Sequence, residues 1–453
     1  MPIKIALSIL LVFSSILPIV HAQEKTQDIS IPVGEKKIMA VADVQPVSSD
    51  NAGEVAEALK TFNQVLREDL SFSDIFIIAG KSFYPPQPIV RPETDINFDA
   101  WNSIPSLPVV FLAVGTLNIS AGVLRAELSV YDIPTRKRII GKIFTGEPDQ
   151  VRAIAHLWAD MIVYNLTANL SKGIASTKIA FVKREKNAKE VYIMDYDGNG
   201  QRAFTRNGSL NLFPNWAPDN SKLAFVSYRP KPEISIYSYI DGSRLPFPLF
   251  ESFASTPAIS PDGKEVAYSS RTFRGDADIF ISNLDGSNRR NITNNPAIDT
   301  SPTWSPSGRQ LAFTSNRGGM INQIFVCDSD GSNLRRVVKE GGDADSPAWS
   351  PDGRWIAFHW KPHLSNYHDI YLADVKTWEI YQLTSNHGSN ENPTWAPDSR
   401  HIAFQSNRSG SSQIYIMGLP SREEPNPEPR RITNQGNNSS PAWSGYFSKG
   451  SEN

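Results

Sequence analysis

A tripeptide, Pro-x-Trp or a near variant, recurs through the second half of the chain at almost constant spacing. It stands at Pro214-Asn-Trp216, Pro257-Ala-Ile259, Pro302-Thr-Trp304, Pro347-Ala-Trp349, Pro393-Thr-Trp395 and Pro441-Ala-Trp443, with the prolines 43, 45, 45, 46 and 48 residues apart. A period in this range marks a repeat array, and the content of one unit decides its kind. Each of the first five is followed by a turn: Pro218-Asp-Asn220, Pro261-Asp-Gly263, Pro306-Ser-Gly308, Pro351-Asp-Gly353 and Pro397-Asp-Ser399. Proline followed by Asp, Asn, Ser or Gly is turn chemistry. A second strand follows, with alanine at its centre: Leu223-Ala-Phe225, Val266-Ala-Tyr268, Leu311-Ala-Phe313, Ile356-Ala-Phe358 and Ile402-Ala-Phe404. A third alternates apolar and polar residues, as in Asp278–Ile281, Gln323–Val326, Asp369–Leu372 and Gln413–Ile416. Asp285-Gly286 and Asp330-Gly331 then turn a hairpin. A fourth strand ends in Asn291-Ile-Thr293, Gln382-Leu-Thr384 or Arg431-Ile-Thr433.

Four short strands in about 45 residues predict one blade of a β-propeller. The ends of the array set the blade number. Ile179-Ala-Phe181 is a second strand with no first strand before it, and Ser440–Trp443 is a first strand with nothing after it. Pairing them closes a ring of six blades over 174–447 and leaves no long exposed edge. The five tryptophans read as packing between blades, not as ligand-stacking residues. The insertion Pro420–Pro429 in the last blade predicts a solvated loop.

The N-terminal half has a different pattern. Lys4, the apolar run Ile5–Ile16 and Val20-His21-Ala22 predict a signal peptide over 1–22. A polar, mobile tail is expected over 23–34 and a small α/β domain over 35–173, with a short C-terminal tail over 448–453. Strands are predicted at 37–41, 75–78, 109–114 and 123–131, and amphipathic helices at 52–70 and 149–170. Continuity into Ile179 predicts that this domain packs directly on the propeller. The fold class is therefore multidomain, a small α/β N-terminal domain followed by an all-β six-bladed propeller. Export is consistent with Cys327 being the only cysteine, which forbids an intramolecular disulfide. Basic and acidic residues nearly balance, 45 against 47. That argues against a nucleic-acid partner or a protein that coats acidic membranes.

In this order behind a signal peptide, the two halves resemble the TolB family, the periplasmic component of the Tol-Pal system, with its WD40-like repeats. The specific likeness lies at the domain junction, Val151-Arg-Ala-Ile-Ala-His156, Asp160, Leu166-Thr167 and Ser176–Phe181, and in the ending Pro441-Ala-Trp-Ser-Gly-Tyr-Phe447. Gly445 stands where the family usually has proline. The resemblance implies a monomeric, non-enzymatic periplasmic scaffold without a cofactor, peripheral to membranes through its partners. Those partners would be a Pal-type lipoprotein on the propeller funnel and a TolA-type inner-membrane protein on the N-terminal region. The role implied is in outer-membrane integrity and envelope constriction at cell division. It also implies that Phe253, Thr256 and Thr300 belong to the lipoprotein contact.

No G-x-S-x-G, His-Glu-x-x-His or Cys-x-x-Cys motif occurs, so no catalytic residue is assigned. His359, His363 and His368 have donor spacing for a metal, against the plainer reading of a His-rich loop. Asp299, Asp343, Asp345, Asn390 and Glu391 are expected just before the first strands, near the channel mouth, and offer oxygens that calcium would need. They keep a calcium-dependent lactonase open as an alternative, beside a secreted glycan-binding propeller, but no metal ligand is assigned. His156 reads as an interdomain packing residue and Cys327 as a buried, inert thiol. The loops into the first strands and those leaving the second strands share one face. Candidate partner residues there are Phe253, Ser255, Thr256, Asp299, Thr300, Asp345, Ser346, Glu391 and Asn392, with Arg271, Arg317 and Arg408 on an arginine rim.

Overall fold

Each repeat folds as one antiparallel four-stranded sheet, and six such sheets make up the propeller. The computed structural model describes residues 36–447 apart from 48–51, 87–88, 105–106, 230, 249–252, 386 and 422–423. The expected signal peptide, the 23–34 tail and the tail after 447 lie outside the described residues. The opening blade joins Asn438–Trp443 from the far end of the chain to Lys178–Arg184, Lys189–Asp195 and Arg202–Ala203. The second to sixth blades begin at Asn211, Ala254, Asp299, Gly342 and Asn390.

Small and large residues alternate as the ring demands. The second-strand alanines Ala180, Ala224, Ala267, Ala312, Ala357 and Ala403 are completely buried. The first-strand tryptophans sit between blades. Trp304 Nε1 donates to Ala258 O at 2.9 Å, Trp395 Nε1 to Ala348 O at 2.9 Å and Trp216 Nε1 to Ala442 O at 3.1 Å, each crossing to the preceding blade. A buried indole N–H needs such an acceptor, so one side chain both fills the wedge and fixes its angle. Trp349 departs from the pattern and bonds its own turn at Gly353 O, 3.3 Å.

A second device clasps neighbouring blades. The side chain opening a third strand accepts from a threonine of its own blade and from the asparagine that opens the next blade. Asp369 accepts from Thr384 and Asn390, both at 2.8 Å. Gln413 accepts from Thr433 at 2.7 Å and Asn438 at 2.8 Å. Glu190 does the same with Thr205 and Asn211. The Leu-Thr and Ile-Thr strand endings seen in the sequence supply Thr384 and Thr433, and Thr205 follows Phe204 at the same place in the opening blade.

The N-terminal half builds a sheet ordered β3-β1-β4-β5-β6 from β1 (Lys37–Val41), β3 (Phe76–Ile78), β4 (Phe111–Ser120), β5 (Val123–Asp132) and β6 (Lys137–Gly146), with the short β2 (Gln45–Pro46) also on β4. The first two pairings are parallel and the last two antiparallel. Helices α1 (Ala52–Phe72) and α4 (Val151–Leu166) pack on one face through Phe62, Leu66, Ile154, Trp158 and Ile162. Two short helices, α2 (Pro92–Asp95) and α3 (Phe98–Asn102), belong to the other side, where Trp101 is buried against Leu112 and Tyr131. The sequence pattern marks neither β6 nor the short helices, and β4 runs six residues past the expected strand.

The core of this half continues into the propeller without a break, from Met39 and Phe62 through Trp158 to Phe181, Met194 and Trp443. Asp160, largely shielded from solvent at the junction, accepts the backbone N–H groups of Ala175 and Ser176 at 2.8 Å each, and so pins the connecting segment to α4. Burial raises its carboxyl to about 7. Gly173 passes over Asp160 with φ +76, where a Cβ would lie 2.1 Å from its Oδ1, so only glycine fits.

Ring closure gives a direct prediction. Trp443 is 6% exposed and its Nε1 donates to Thr177 at 2.8 Å. Trp443→Ala is expected to cost about 3–5 kcal/mol in urea unfolding, whereas Phe273→Ala, on a fully solvated loop, should stay within about 0.5 kcal/mol. Equal midpoints for the two variants would contradict this packing role.

Candidate functional site: the funnel face of the propeller

Every first strand carries one extra residue, placed immediately before its proline. In each, the register with the second strand slips by one between the paired residues flanking that position. Phe213, Thr256, Ser301, Ser346, Asn392 and Ser440 occupy these bulges with φ between 48 and 55. Left-handed backbone is costly for residues other than glycine, by roughly 1–2 kcal/mol. Proline disfavours the right-handed helical region for the residue before it and has no N–H to give the ladder. A bulge is where such a residue fits.

Five of the six bulges join a polar collar. Ser301 N donates to Thr256 Oγ1 at 3.1 Å, and Ser301 Oγ to Asp345 at 3.3 Å. Thr314 holds Asp345 at 2.8 Å. Ser346 Oγ donates to Asn392 Oδ1 at 2.9 Å. Gln405 Oε1 accepts from Asn392 Nδ2 at 3.1 Å and Ser440 N at 2.9 Å. The collar thus runs from the third blade round to the opening blade. The second blade places Phe213 at the same position, and that side chain is exposed.

The candidate residues divide by burial. Phe253 and Arg271 are exposed, and Thr256, Thr300, Asp345, Ser346, Glu391 and Asn392 are partly exposed at the funnel. Ser255 is buried. Asp299, expected on the surface, is completely buried and holds Arg317 Nη2 at 2.8 Å and Asn295 Nδ2 at 2.6 Å. Arg317 in turn lies over the rings of Phe313 and Phe325, 5.1 Å from each centroid. Arg408 repeats this, donating to Asn390 Oδ1 at 2.9 Å and covering Phe404 and Tyr415. The repeated Ser-Asn-Arg of the exit loops is therefore a structural bracket, in which the guanidinium caps two aromatic rings and ties down the opening of a first strand. It does not project as a rim.

Sequence reasoning passed over the tips of the second-to-third strand loops. Phe273, Met320 and Leu364 are 97%, 98% and 100% exposed. Ile321, Tyr367 and Ile298 are exposed beside them on the same face. Of the described propeller residues, the opposite face exposes only Ile240 and Leu334 among large hydrophobics. Exposed apolar side chains gathered on one side are a feature that interaction surfaces share. Their place in three consecutive loops at equal repeat positions was the available signal.

The histidines separate. His359 lies on a second strand, buried, and its Nδ1 accepts from Asn392 N at 3.4 Å. His363 is exposed on the loop. His368 stands 3.5 Å from both Asp343 and Glu391, bridging the fifth and sixth blades, with its ring 5.0 Å from that of His359. Among the described residues, the group of three or more His, Cys, Asp or Glu side chains with mutually close ligand atoms is elsewhere, at His156, Asp195 and Asp197. There, at the junction of the two halves, His156 Nδ1 is 2.7 Å from Asp69 Oδ2, and Tyr196 donates to Asp69 Oδ1 at 2.7 Å. Cys327 is buried and its thiol is pushed up to about 12 by burial, which leaves it unreactive.

Geometry alone defines a class: a closed six-bladed propeller, joined through a continuous core to a small α/β domain, with one loop-lined, apolar-tipped face. The family profile described as "TolB beta propeller domain" matches residues 164–364 and 337–447. The chain belongs to the TolB family. It is 30% identical over 307 residues to the "Tol-Pal system protein TolB" of Anaeromyxobacter dehalogenans strain 2CP-1, covering 66% of this chain and 67% of that protein. It is 32% identical over 243 residues to the "Protein TolB homolog" of Chlorobium luteolum, a match that spans about half of either chain, 52% of each. The crystal structure of TolB from Acinetobacter baumannii shares the fold, with a TM-score of 0.75 at 23% identity, over 91% of this chain and 98% of that one.

The blade-bridging histidine makes a checkable prediction. The hydrogen bond to Glu391 raises the pKa of His368, whereas burial lowers that of His359. The sign follows from linkage: the bridge is fully formed below the ordinary histidine pKa and is lost as pH rises through the raised folded value. Imidazole proton shifts in an NMR titration should show His368 titrating above 6.5. Glu391→Gln should move it down. A His368 pKa unchanged by that substitution would contradict the bridge.

Proposed function

We propose that this protein is a non-enzymatic periplasmic scaffold of the Tol-Pal type. Its propeller face binds a Pal-type, peptidoglycan-associated lipoprotein. Its N-terminal region engages a TolA-type inner-membrane protein. Together these contacts support outer-membrane integrity and envelope constriction at division. Family membership supports the general role, and no helix among the described residues is long and apolar enough to cross a membrane.

One observation carries the choice of face. Large exposed apolar side chains gather at the loop tips around the funnel and are nearly absent opposite. Inside that rim the bulged first strands hold Thr256, Ser346 and Asn392 in a hydrogen-bonded collar, and Thr300 stands beside the bulge at Ser301. A rigid polar centre within an apolar rim loses little conformational freedom on binding, which favours affinity. Phe253, Thr256, Thr300 and Arg271 form the proposed contact, with Phe273, Met320 and Leu364 extending it outward.

The test is a pull-down of the lipoprotein from solubilised envelope by the mature protein. Thr256→Arg with Thr300→Arg should lower recovery by about 10-fold or more, the scale of an interface hot spot. Ile240→Asp with Leu334→Asp, on the opposite face, should leave recovery unchanged. The reverse pattern would move the binding site to the other face. Equal recovery by all variants would remove the propeller from the contact.

A further inference from the structure

His156 is satisfied on one side only. Its Nδ1 meets Asp69, whose second oxygen is taken by Tyr196. Asp69 thereby holds the ring proton at Nδ1 and leaves Nε2 as a lone-pair donor in the neutral imidazole. His156 is 4% exposed, and Nε2 is buried without a hydrogen-bond partner. It faces Asp197 Oδ2 at 4.0 Å. With Asp195 the three side chains offer ligand atoms within 4.8 Å of one another. A carboxylate behind an imidazole and open donors in front of it form the arrangement that orients a metal-ligating histidine.

The hairpin that supplies the two aspartates is ordinary in itself. Asn199 N donates to Asp197 Oδ1 at 3.0 Å, as Ser243, Ser287 and Ser332 do to Asp241, Asp285 and Asp330 in the next three blades. What differs in the opening blade is that α4 brings His156 against the turn. One imidazole and two carboxylates are too few oxygens for calcium, but they match a three-ligand zinc site with a fourth position left to water.

We propose that His156, Asp195 and Asp197 bind a divalent ion of the zinc class, with Asp69 and Tyr196 as positioning residues. The ion would staple α4 of the N-terminal half to the opening blade. Two cations compete for the same oxygens: Arg152 pairs with Asp197, and Lys178 Nζ lies 3.0 Å from Asp195. Their side chains are 30% and 22% exposed, so both have a route to solvent when an ion arrives. The site is consequently tuned to moderate affinity, and removal of Arg152 should tighten it.

Chelator-stripped mature protein titrated with Zn²⁺ in a calorimeter, and with Co²⁺ for its visible d–d bands, tests the site. One saturable equivalent is expected. Asp195→Asn, at a partly exposed carboxylate that carries no turn hydrogen bond, should weaken it by about 10-fold or more, on the scale seen for altered metal sites. His156→Gln should abolish it, and Arg152→Gln should strengthen it. Absence of saturable binding would overturn the proposal. So would binding that Asp195→Asn and Arg152→Gln leave unchanged, which would assign the ion to exposed histidines such as His363 and His387.

Discussion

Pairing between the two ends of the repeat array is the constraint on which the structure depends. Asn438–Trp443 adds the innermost strand to a blade whose other strands lie more than 230 residues earlier in the chain. Without it the array would have an unpaired edge at Lys178–Arg184 and a dangling strand at the other end, both open to other chains. With it, Trp443 reaches Thr177, Trp216 reaches Ala442 O, and Asn438 completes the clasp on Gln413. The funnel exists only in the closed ring, because its collar passes through five of the six first strands and ends on Ser440 of the closing one.

The same closure organises the junction with the N-terminal half. The opening blade presents Tyr196 and Asp197 to α1 and α4, and the sixth blade presents Arg430 and His401 to Phe72. Burial works against charge on Asp398, but His401 and Arg400 outweigh it and hold that carboxyl well below its ordinary range. At His156 burial likewise opposes the imidazolium, and the Asp69 carboxylate outweighs it, so the pKa of the ring is raised. A cleft of about 550 Å³ lies between α1 and the sixth blade, lined by Arg67, Phe72, His401, Glu428 and Arg430. The two halves therefore meet through both an apolar core and a set of specific ionic contacts.

Much of the propeller was legible because a blade is a local object. Its turns, its alanine and its tryptophan all fall within one repeat, and the odd strands at the two ends revealed the closure. The N-terminal strand β6 was not legible: its residues are mostly exposed, so no alternation marks it. The surface candidates were legible as positions but not as environments. Nothing near Asp299 or Arg317 in sequence shows that the two pair, with the carboxylate completely buried. Asp69 and His156 are 87 residues apart, so only the fold reveals that one orients the other. The bulge residues could have been read, since each directly precedes the proline of the repeat.

Hydrogen–deuterium exchange with and without a purified Pal-type lipoprotein tests the central claim that the funnel face is the working surface. Slowed exchange is expected at the amides of 253–256, 298–301, 343–346 and 389–392, with the hairpin turns at 240–243 and 330–333 unchanged. Protection confined to the opposite turns or to the β5–β6 hairpin would contradict it.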